Sequence, residues 1–475
     1  MRTKKQNWGL ALGPVLGLLA AALVPDHYVF EGSTFELGRA SAVTACLAVW
    51  MAVWWFTEAI EIFATALLPL IVLPLGGGAK ISEISAPYAH EIIFLFFGGF
   101  ALSLAMERCG LHRRIAVRMI AWFGSQPSRL IAGFMCATAF LSMWISNTAT
   151  ALMLLPIALS LSSDDDSAPL QVPLLLSIAY AASIGGVATI IGTPPNTFLV
   201  SFVRDQMGVD IGFVDWMLFG VPLSLVMLLL TWWLLTRVIH PIDRSVPISV
   251  PVTSGSATTM QRWVMVVFVA TVLLWVSRKW IQSWVVGGGQ PFSGISDAGI
   301  AMTAAMALFA VPMGMGKFAL DWETMRRMPW GILILFGGGL SLARAMDAYG
   351  VASYLGSLMS GLSFLPGWLV LLLVIVLVVF LTELTSNTAT TAALVPIFAA
   401  IAPNLNMDSL VVAIAVAISA SYAFMLPVAT PPNAIVFSSG RLTMQQMARA
   451  GLYLNLFGIA AIYVCMYWVV TPMHP

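Results

Sequence analysis

Ser146-Asn147-Thr148-Ala149-Thr150 recurs unchanged as Ser386-Asn387-Thr388-Ala389-Thr390. Each copy is followed, within apolar sequence, by a second repeated motif, Thr193-Pro194-Pro195-Asn196 and Thr430-Pro431-Pro432-Asn433. The first pair is 240 residues apart and the second 237. Two motifs repeated in register indicate internal duplication rather than coincidence in a biased composition. Smaller pieces keep the 240-residue offset: Gly98-Gly99 with Gly338-Gly339, Ala105-Met106-Glu107 with Ala345-Met346-Asp347, Gly110 with Gly350, and Pro156 with Pro396.

The surroundings of these motifs set the class. The 475 residues are 60% hydrophobic and only 9% charged, with mean hydropathy +0.93. Soluble domains carry about 25% charged residues, so most of this surface faces lipid and the chain reads as an all-α polytopic membrane protein. A net charge of +1 gives no sign of a nucleic-acid partner. The cysteines Cys46, Cys109, Cys136 and Cys465 are scattered and read as buried thiols rather than a disulfide or metal set. The N-terminal segment, basic and then apolar to Ala22, has the outline of a signal peptide, but its Trp8 to Val24 run suits an uncleaved first span.

Eleven crossings are expected, near 8–24, 41–56, 60–75, 91–108, 171–190, 216–239, 263–281, 298–313, 329–346, 410–428 and 451–471. The stretches 129–161 and 364–402 carry Ser-Asn-Thr at their middles and read as re-entrant hairpins. Each arm of about 15 residues spans roughly 22 Å, enough to reach mid-membrane and return. With the N-terminus cytoplasmic, inner segments hold 16 of the 22 Lys and Arg, leaving Arg39, Lys80, Arg204, Arg278, Lys279 and Arg344 outside with the C-terminus. Five crossings between the two Ser-Asn-Thr copies make the halves inverted. The expected organisation is an N-terminal helix and outer loop (1–40), a first repeat (41–240), a cytoplasmic linker (241–261) and a second repeat (262–475). Inverted repeats with broken helices place a binding site at the bilayer midplane.

The residues at that site suggest its chemistry. Asn147 and Asn387 offer amides; Ser146, Thr148, Ser386 and Thr388 offer hydroxyls; Thr193 and Thr430 open the two breaks and join the same substrate site. Half-helices starting there present unpaired N–H groups and positive dipole ends to a carboxylate. No Lys or Arg occurs in 130–161, 171–203, 364–402 or 409–440, so a bound anion calls for a co-transported cation. The competing structural readings are ordinary ones. Ser and Thr in membrane helices commonly bond a carbonyl one turn back, and the proline pairs read equally as simple kinks; duplication at a break favours a shaped site. Glu383, the one acid in its hairpin, reads equally as a tuner of cation binding and as a structural partner of backbone or hydroxyls. Asp164-Asp165-Asp166 reads as a solvated turn.

These motifs resemble the divalent anion/sodium symporters, which carry dicarboxylates, citrate or sulfate, and the resemblance covers nearly the whole chain. It implies that Asn147, Thr148, Asn387 and Thr388 hold the substrate carboxylates. It further implies one sodium site from Ser142, Ser146, Asn147 and the Gly192 carbonyl, and an inverted counterpart from Thr382, Thr385, Asn387 and the Ala429 carbonyl. Ala429 in place of Gly192 leaves a carbonyl ligand intact. A homodimer is implied, with a transport domain moving like an elevator against a scaffold and the basic stretch 107–124 as an interfacial arm helix.

The expected function is therefore sodium-coupled symport of C4-dicarboxylates such as succinate, malate and fumarate, with Na+ as coupling ion and no organic cofactor, in a cell membrane. A sodium-independent dicarboxylate exchanger, or a citrate or sulfate carrier, would share every motif. An intramembrane enzyme would need a nucleophile, acid pair or metal cluster at depth; His27, His90, His112, His240 and His474 all lie at span ends or in loops. A channel fits a duplicated, inverted site less well than alternating access does.

Overall fold

A computed structural model of the chain describes residues 3–30, 33–77, 79–161, 168–242, 256–285, 289–314, 317–359 and 365–470. The Asp164-Asp165-Asp166 turn lies outside them. The first half contains Lys4–Leu23 (α1), Arg39–Thr57 (α2), three short helices Ile62–Thr65 (α3), Pro69–Val72 (α4) and Ile81–Ser85 (α5), then Glu91–Arg108 (α6) and Leu111–Phe123 (α7). Next come Pro127–Ser142 (α8), Asn147–Leu161 (α9), Ala168–Val187 (α10), Pro194–Met207 (α11) and Phe213–Trp233 (α12). The second half comprises Thr259–Gln282 (α13), Asp297–Ala310 (α14), Trp322–Met325 (α15), Trp330–Ala348 (α16) and Val351–Met359 (α17). It closes with Gly367–Thr382 (α18), Asn387–Ile401 (α19), Ser409–Ser421 (α20), Pro431–Ser438 (α21) and Met444–Cys465 (α22).

The hairpin arms repeat at the sequence offset: α8 and α18 begin and end 240 residues apart, as do α9 and α19. Among the described residues nine helices are long and apolar enough to cross a membrane. Eight of them fall on expected spans; the ninth, Asn387–Leu405, is a hairpin arm.

Three expected spans are interrupted or short, for identifiable reasons. The 60–75 segment is not one helix but the pieces α3, α4 and a π-turn at Leu73–Gly77, because Pro69 and Pro74 remove donors and crowd preceding carbonyls. Its loosened backbone is held from outside, the Tyr88 hydroxyl donating to the Ala66 carbonyl at 2.5 Å. The segment at 298–313 stops at Ala310, before Pro312, and α20 stops at Ser421, before Pro427.

Burial sorts the helices by position. In α10, 89% of the apolar window is buried, against 28% in α13 and 17% in α1, so α10 runs through the centre while α1 and α13 turn apolar faces outward. α1 is seated on α2 through Gly9, Gly13 and Gly17, where an added Cβ would strike Thr57, Trp54 and Cys46. That close approach, of the kind small residues permit in membrane helices, fixes the N-terminal residues relative to the end of α2.

Candidate functional site

The two hairpin tips and the two helix breaks converge on one cavity of about 720 Å³. Ser146, Asn147, Thr148, Gly192 and Thr193 line it from the first copy, and Thr385, Ser386, Asn387, Thr388, Ala429 and Thr430 from the second. Four helices, α9, α11, α19 and α21, begin at these residues, so their first N–H groups lie at the cavity. Pro194 and Pro431 occupy first helical turns, where a missing donor costs nothing.

Behind each tip lies the same small cluster. Ser142 Oγ contacts both Asn147 Oδ1 and the Ala182 carbonyl, the latter at 2.6 Å. Thr382 Oγ1 contacts Asn387 Oδ1 and the Ala420 carbonyl, each at 2.8 Å. A hydroxyl carries one proton, yet each here faces two acceptor oxygens. Both clusters therefore hold more lone pairs than protons, the donor set a hard cation matches. Ser142 and Thr382 are fully buried and sit behind the cavity wall.

The carbonyl of Gly192 and Asn147 Oδ1 both face the space beside Gly186. A Cβ added at Gly186 would stand 3.0 Å from Asn147 Oδ1 and 3.1 Å from the Gly192 carbonyl oxygen, so the absent side chain at 186 leaves the space between them. At Gly192 itself a Cβ would collide with the Gly186 carbonyl. In sequence, Ala429 at the matching position suggested that the side chain here is immaterial; the close approach to Gly186 makes glycine a requirement at 192. At the second tip Thr385 bonds Thr390 at 2.7 Å and the Leu381 carbonyl at 2.9 Å, which orients its hydroxyl within the hairpin.

The conserved-offset asparagines of the breaks hold the freed backbone. Asn196 Nδ2 donates to the carbonyls of Gly186, Val187 and Thr189 at 2.8 to 3.3 Å. Asn433 Nδ2 donates to those of Ala423 and Leu426, at 3.3 and 3.0 Å. Both Oδ1 atoms are buried without a described partner. At the cavity face the hydroxyls of Ser146 and Thr430 cap their own helices by accepting from Ala149 and Asn433 N–H groups. The hydroxyls of Thr148 and Thr388 make no hydrogen bond to a described residue, which leaves them for a ligand.

Tertiary structure adds residues that motif reading missed. Ser183, 3% exposed with an unpartnered Oγ, and Ser421 also line the cavity. Thr3, Lys5, Gln6, Thr57 and Glu58 stand at its mouth, bringing one lysine to a site whose own segments contain none. The repeat would have revealed the serines, since Ser183 and Ser421 lie 238 residues apart; nothing in sequence ties residue 5 to residue 147. Among the described residues no cluster of three or more His, Cys, Asp or Glu forms a metal site, and all four cysteines are free, Cys109 and Cys136 being only partly buried.

Comparison with known proteins bears on this geometry. Residues 52–417 match the family model described as citrate transporter. The chain is 37% identical over 487 residues to the sodium-dependent dicarboxylate transporter SdcS of Staphylococcus saprophyticus, covering 98% of this chain and 91% of that protein. It is 36% identical over 484 residues to SdcS of Staphylococcus aureus, covering 97% and 90%. Its fold is similar to that of the Alcanivorax borkumensis YdaH transporter, with TM-score 0.65 at 13% identity over 98% of both chains. It is also similar to Neisseria gonorrhoeae MtrF, with TM-score 0.62 at 12% identity over 99% and 96%.

Proposed function

The chain belongs to the citrate-transporter family, and from that premise we propose that it is a sodium-coupled symporter of C4-dicarboxylates such as succinate, malate and fumarate. The observation that carries this reading is the proton-poor oxygen cluster behind each hairpin tip, Ser142–Asn147–Ala182 and Thr382–Asn387–Ala420. Sodium entering such a cluster takes the unmatched lone pairs and orients the asparagine, so that its amide N–H groups point toward the cavity. The relatives' names, sodium-dependent dicarboxylate transporters, support the same pairing of ion and substrate.

The substrate's two carboxylates are then met by Asn147 and Thr148 on one side and Asn387 and Thr388 on the other, with Ser146, Ser386, Thr193 and Thr430 around them. Helix N-termini and bound sodium balance the dianion where side-chain cations are absent, which lowers the cost of carrying it through a low-dielectric layer. The mouth at Lys5 and Glu58 is the cytoplasmic side in the positive-inside orientation. Alternating access follows an elevator path, with the hairpins and broken helices moving against α1–α6 and α13–α16 within a homodimer.

Uptake of radiolabelled succinate by purified protein in proteoliposomes tests this. An inward sodium gradient is expected to drive accumulation that potassium does not. Uptake that ignores sodium and requires preloaded dicarboxylate would make the protein an exchanger, and absence of uptake with sodium would remove succinate as substrate. Asn147→Ala and Asn387→Ala should each reduce sodium-driven uptake by about a hundredfold or more while leaving insertion and folding intact, since each removes a ligand shared by ion and substrate. Robust uptake by both variants would sink the assignment.

A further inference from the structure

Glu383, three residues before Ser386, is 3% exposed and, unlike Thr385 and Ser386, does not line the cavity. Its Oε1 accepts from the backbone N–H groups of Phe424 and Met425 at 2.7 and 2.9 Å and from Asn455 Nδ2 at 2.8 Å. Its Oε2 accepts from the Leu426 N–H at 3.0 Å. Among the described residues it meets four donors and no acceptor, the pattern of an ionised carboxylate. The three backbone donors are orphans of the second break: α20 ends at Ser421 ahead of Pro427, so Phe424, Met425 and Leu426 lack helical partners.

The duplicated half provides an internal comparison. The residue 240 positions earlier is Met143, which has no acceptor in its side chain. There α10 continues to Val187, and the break closes by turns of its own, with Ala188 N–H bonding Gly185 at 3.0 Å and Gly192 N–H bonding Thr189 at 3.4 Å. It is linked to the hairpin by the neutral bond from Thr189 Oγ1 to the Met143 carbonyl, 2.6 Å, beside the Ser142–Ala182 bond. The first break is therefore held by neutral bonds, its own turns together with Asn196, Thr197 and Trp216 donating to its carbonyls, whereas the N–H groups of the second are gathered by a buried carboxylate that belongs to the facing hairpin.

We propose that Glu383 is a positioning residue that makes the two cation sites unequal, keeping the second break formed before any ion binds and adding its negative potential to the site beside it. The inference rests on the sodium-symport reading above. Glu383 lies between Thr382 and Thr385 in sequence, so its charge sits close to the Thr382–Asn387–Ala420 oxygens, yet four N–H donors occupy it and it does not ligate the ion. In a low-dielectric interior that potential strengthens cation binding at the second site without a direct bond. The first site, with Met143 in place of an acid and no side-chain acceptor for the N–H groups of its break, is the one the ion itself has to shape. Sodium accordingly occupies the second site first.

Hydrogen exchange of the unmodified protein reads this directly. In sodium-free buffer, peptides covering 424–426 should exchange slowly, whereas those covering 188–192 should exchange fast and become protected on adding sodium. Equal, fast exchange of both breaks without sodium would overturn the proposal. The second measurement is the sodium dependence of succinate uptake by Glu383→Gln, which keeps the size of the side chain and removes its charge. The half-saturating sodium concentration should rise by about tenfold, with parent-like succinate half-saturation once sodium saturates. A purely structural role would lower the amount of folded protein and the maximal rate while leaving half-saturating sodium within about twofold of the parent, and that result would also overturn it. If the parent protein shows no sodium-driven uptake at all, the symport reading fails. Sodium-driven uptake combined with unprotected 424–426 amides defeats the Glu383 assignment alone.

Discussion

Gly186 has no side chain because its place is taken by the space between Asn147 and the Gly192 carbonyl. Gly186→Ala puts a methyl at 3.0 to 3.1 Å from those oxygens, closer than ordinary van der Waals contact, so they have to move apart by a few tenths of an ångström. Overpacking of this kind costs about 1–3 kcal/mol. If an ion draws the two oxygens together, as proposed, the methyl opposes it further, and half-saturating sodium for uptake should rise by about five- to a hundredfold. A parent-like sodium curve for Gly186→Ala would show that Gly192 does not reach the first cation. Gly192→Ala meets backbone instead of space and should be the more damaging, lowering thermal stability even without sodium. Little of this was legible in the motifs. Asn147, Thr148 and their copies announce themselves by repetition, but Gly186 is one of many glycines until the approach of residue 192 singles it out.

Elements divide in the same way between what local chemistry declares and what packing decides. The hairpins were readable because polar tips recur at a fixed offset between uniform apolar arms, and the breaks because proline pairs cannot propagate a helix. The 60–75 segment was not, since its hydropathy is that of a span and only the two prolines hint that it splits. The helix α7 lies within the basic stretch that the family resemblance marked as an arm, and its counterpart α17, poor in charge, was missed. The helix α7 also contains a titratable contact. His112 Nδ1 lies 3.0 Å from the Met106 carbonyl, where α6 ends. Burial pushes its pKa below the usual 6.5, partly opposed by that carbonyl and reinforced by Arg113. The neutral ring is thus the folded form, so its contribution to stability is complete above pH 6.5 and is lost as pH falls through the lower folded value. The melting temperature of the purified protein should fall between about pH 7 and 5, and His112→Gln should flatten that dependence. Some slope should persist, because burial lowers His90 and His240 as well. An unchanged slope in His112→Gln would mean that the α6–α7 junction does not respond to this histidine.

Across the whole molecule, the cavity mouth at α1 and the end of α2 faces away from a belt of ion pairs at the other ends of the helices. Arg204 pairs with Glu91 and stands 3.8 Å from Asp210; Arg344 pairs with Asp205; Lys279 meets Asp215 at 2.7 Å. Arg278, with a side chain only 7% exposed, lies 3.4 Å from Asp210 and 3.2 Å from Asp297. Four of the six cations expected outside are in this belt, which ties α11, α12 and their connecting loop to α6, α13, α14 and α16. If the broken helices travel past those neighbours, the pairs have to separate in every cycle, and they hold the arrangement whose mouth lies at Lys5. Each partly exposed pair contributes about 1 kcal/mol or less, which is up to about fivefold in the ratio of two states. Asp205→Asn removes the partner of Arg344 and should shift the population away from this arrangement by that factor. The shift can be read as slower labelling of a cysteine introduced at Ile332, on the cavity wall, by an impermeant thiol reagent applied from the mouth side. Raising the salt concentration should slow labelling of the parent in the same direction, because the exposed pairs are screened within about 8–10 Å at moderate ionic strength. Labelling of the Asp205→Asn protein at the parent rate would show that the belt stabilises the fold without biasing which side is open.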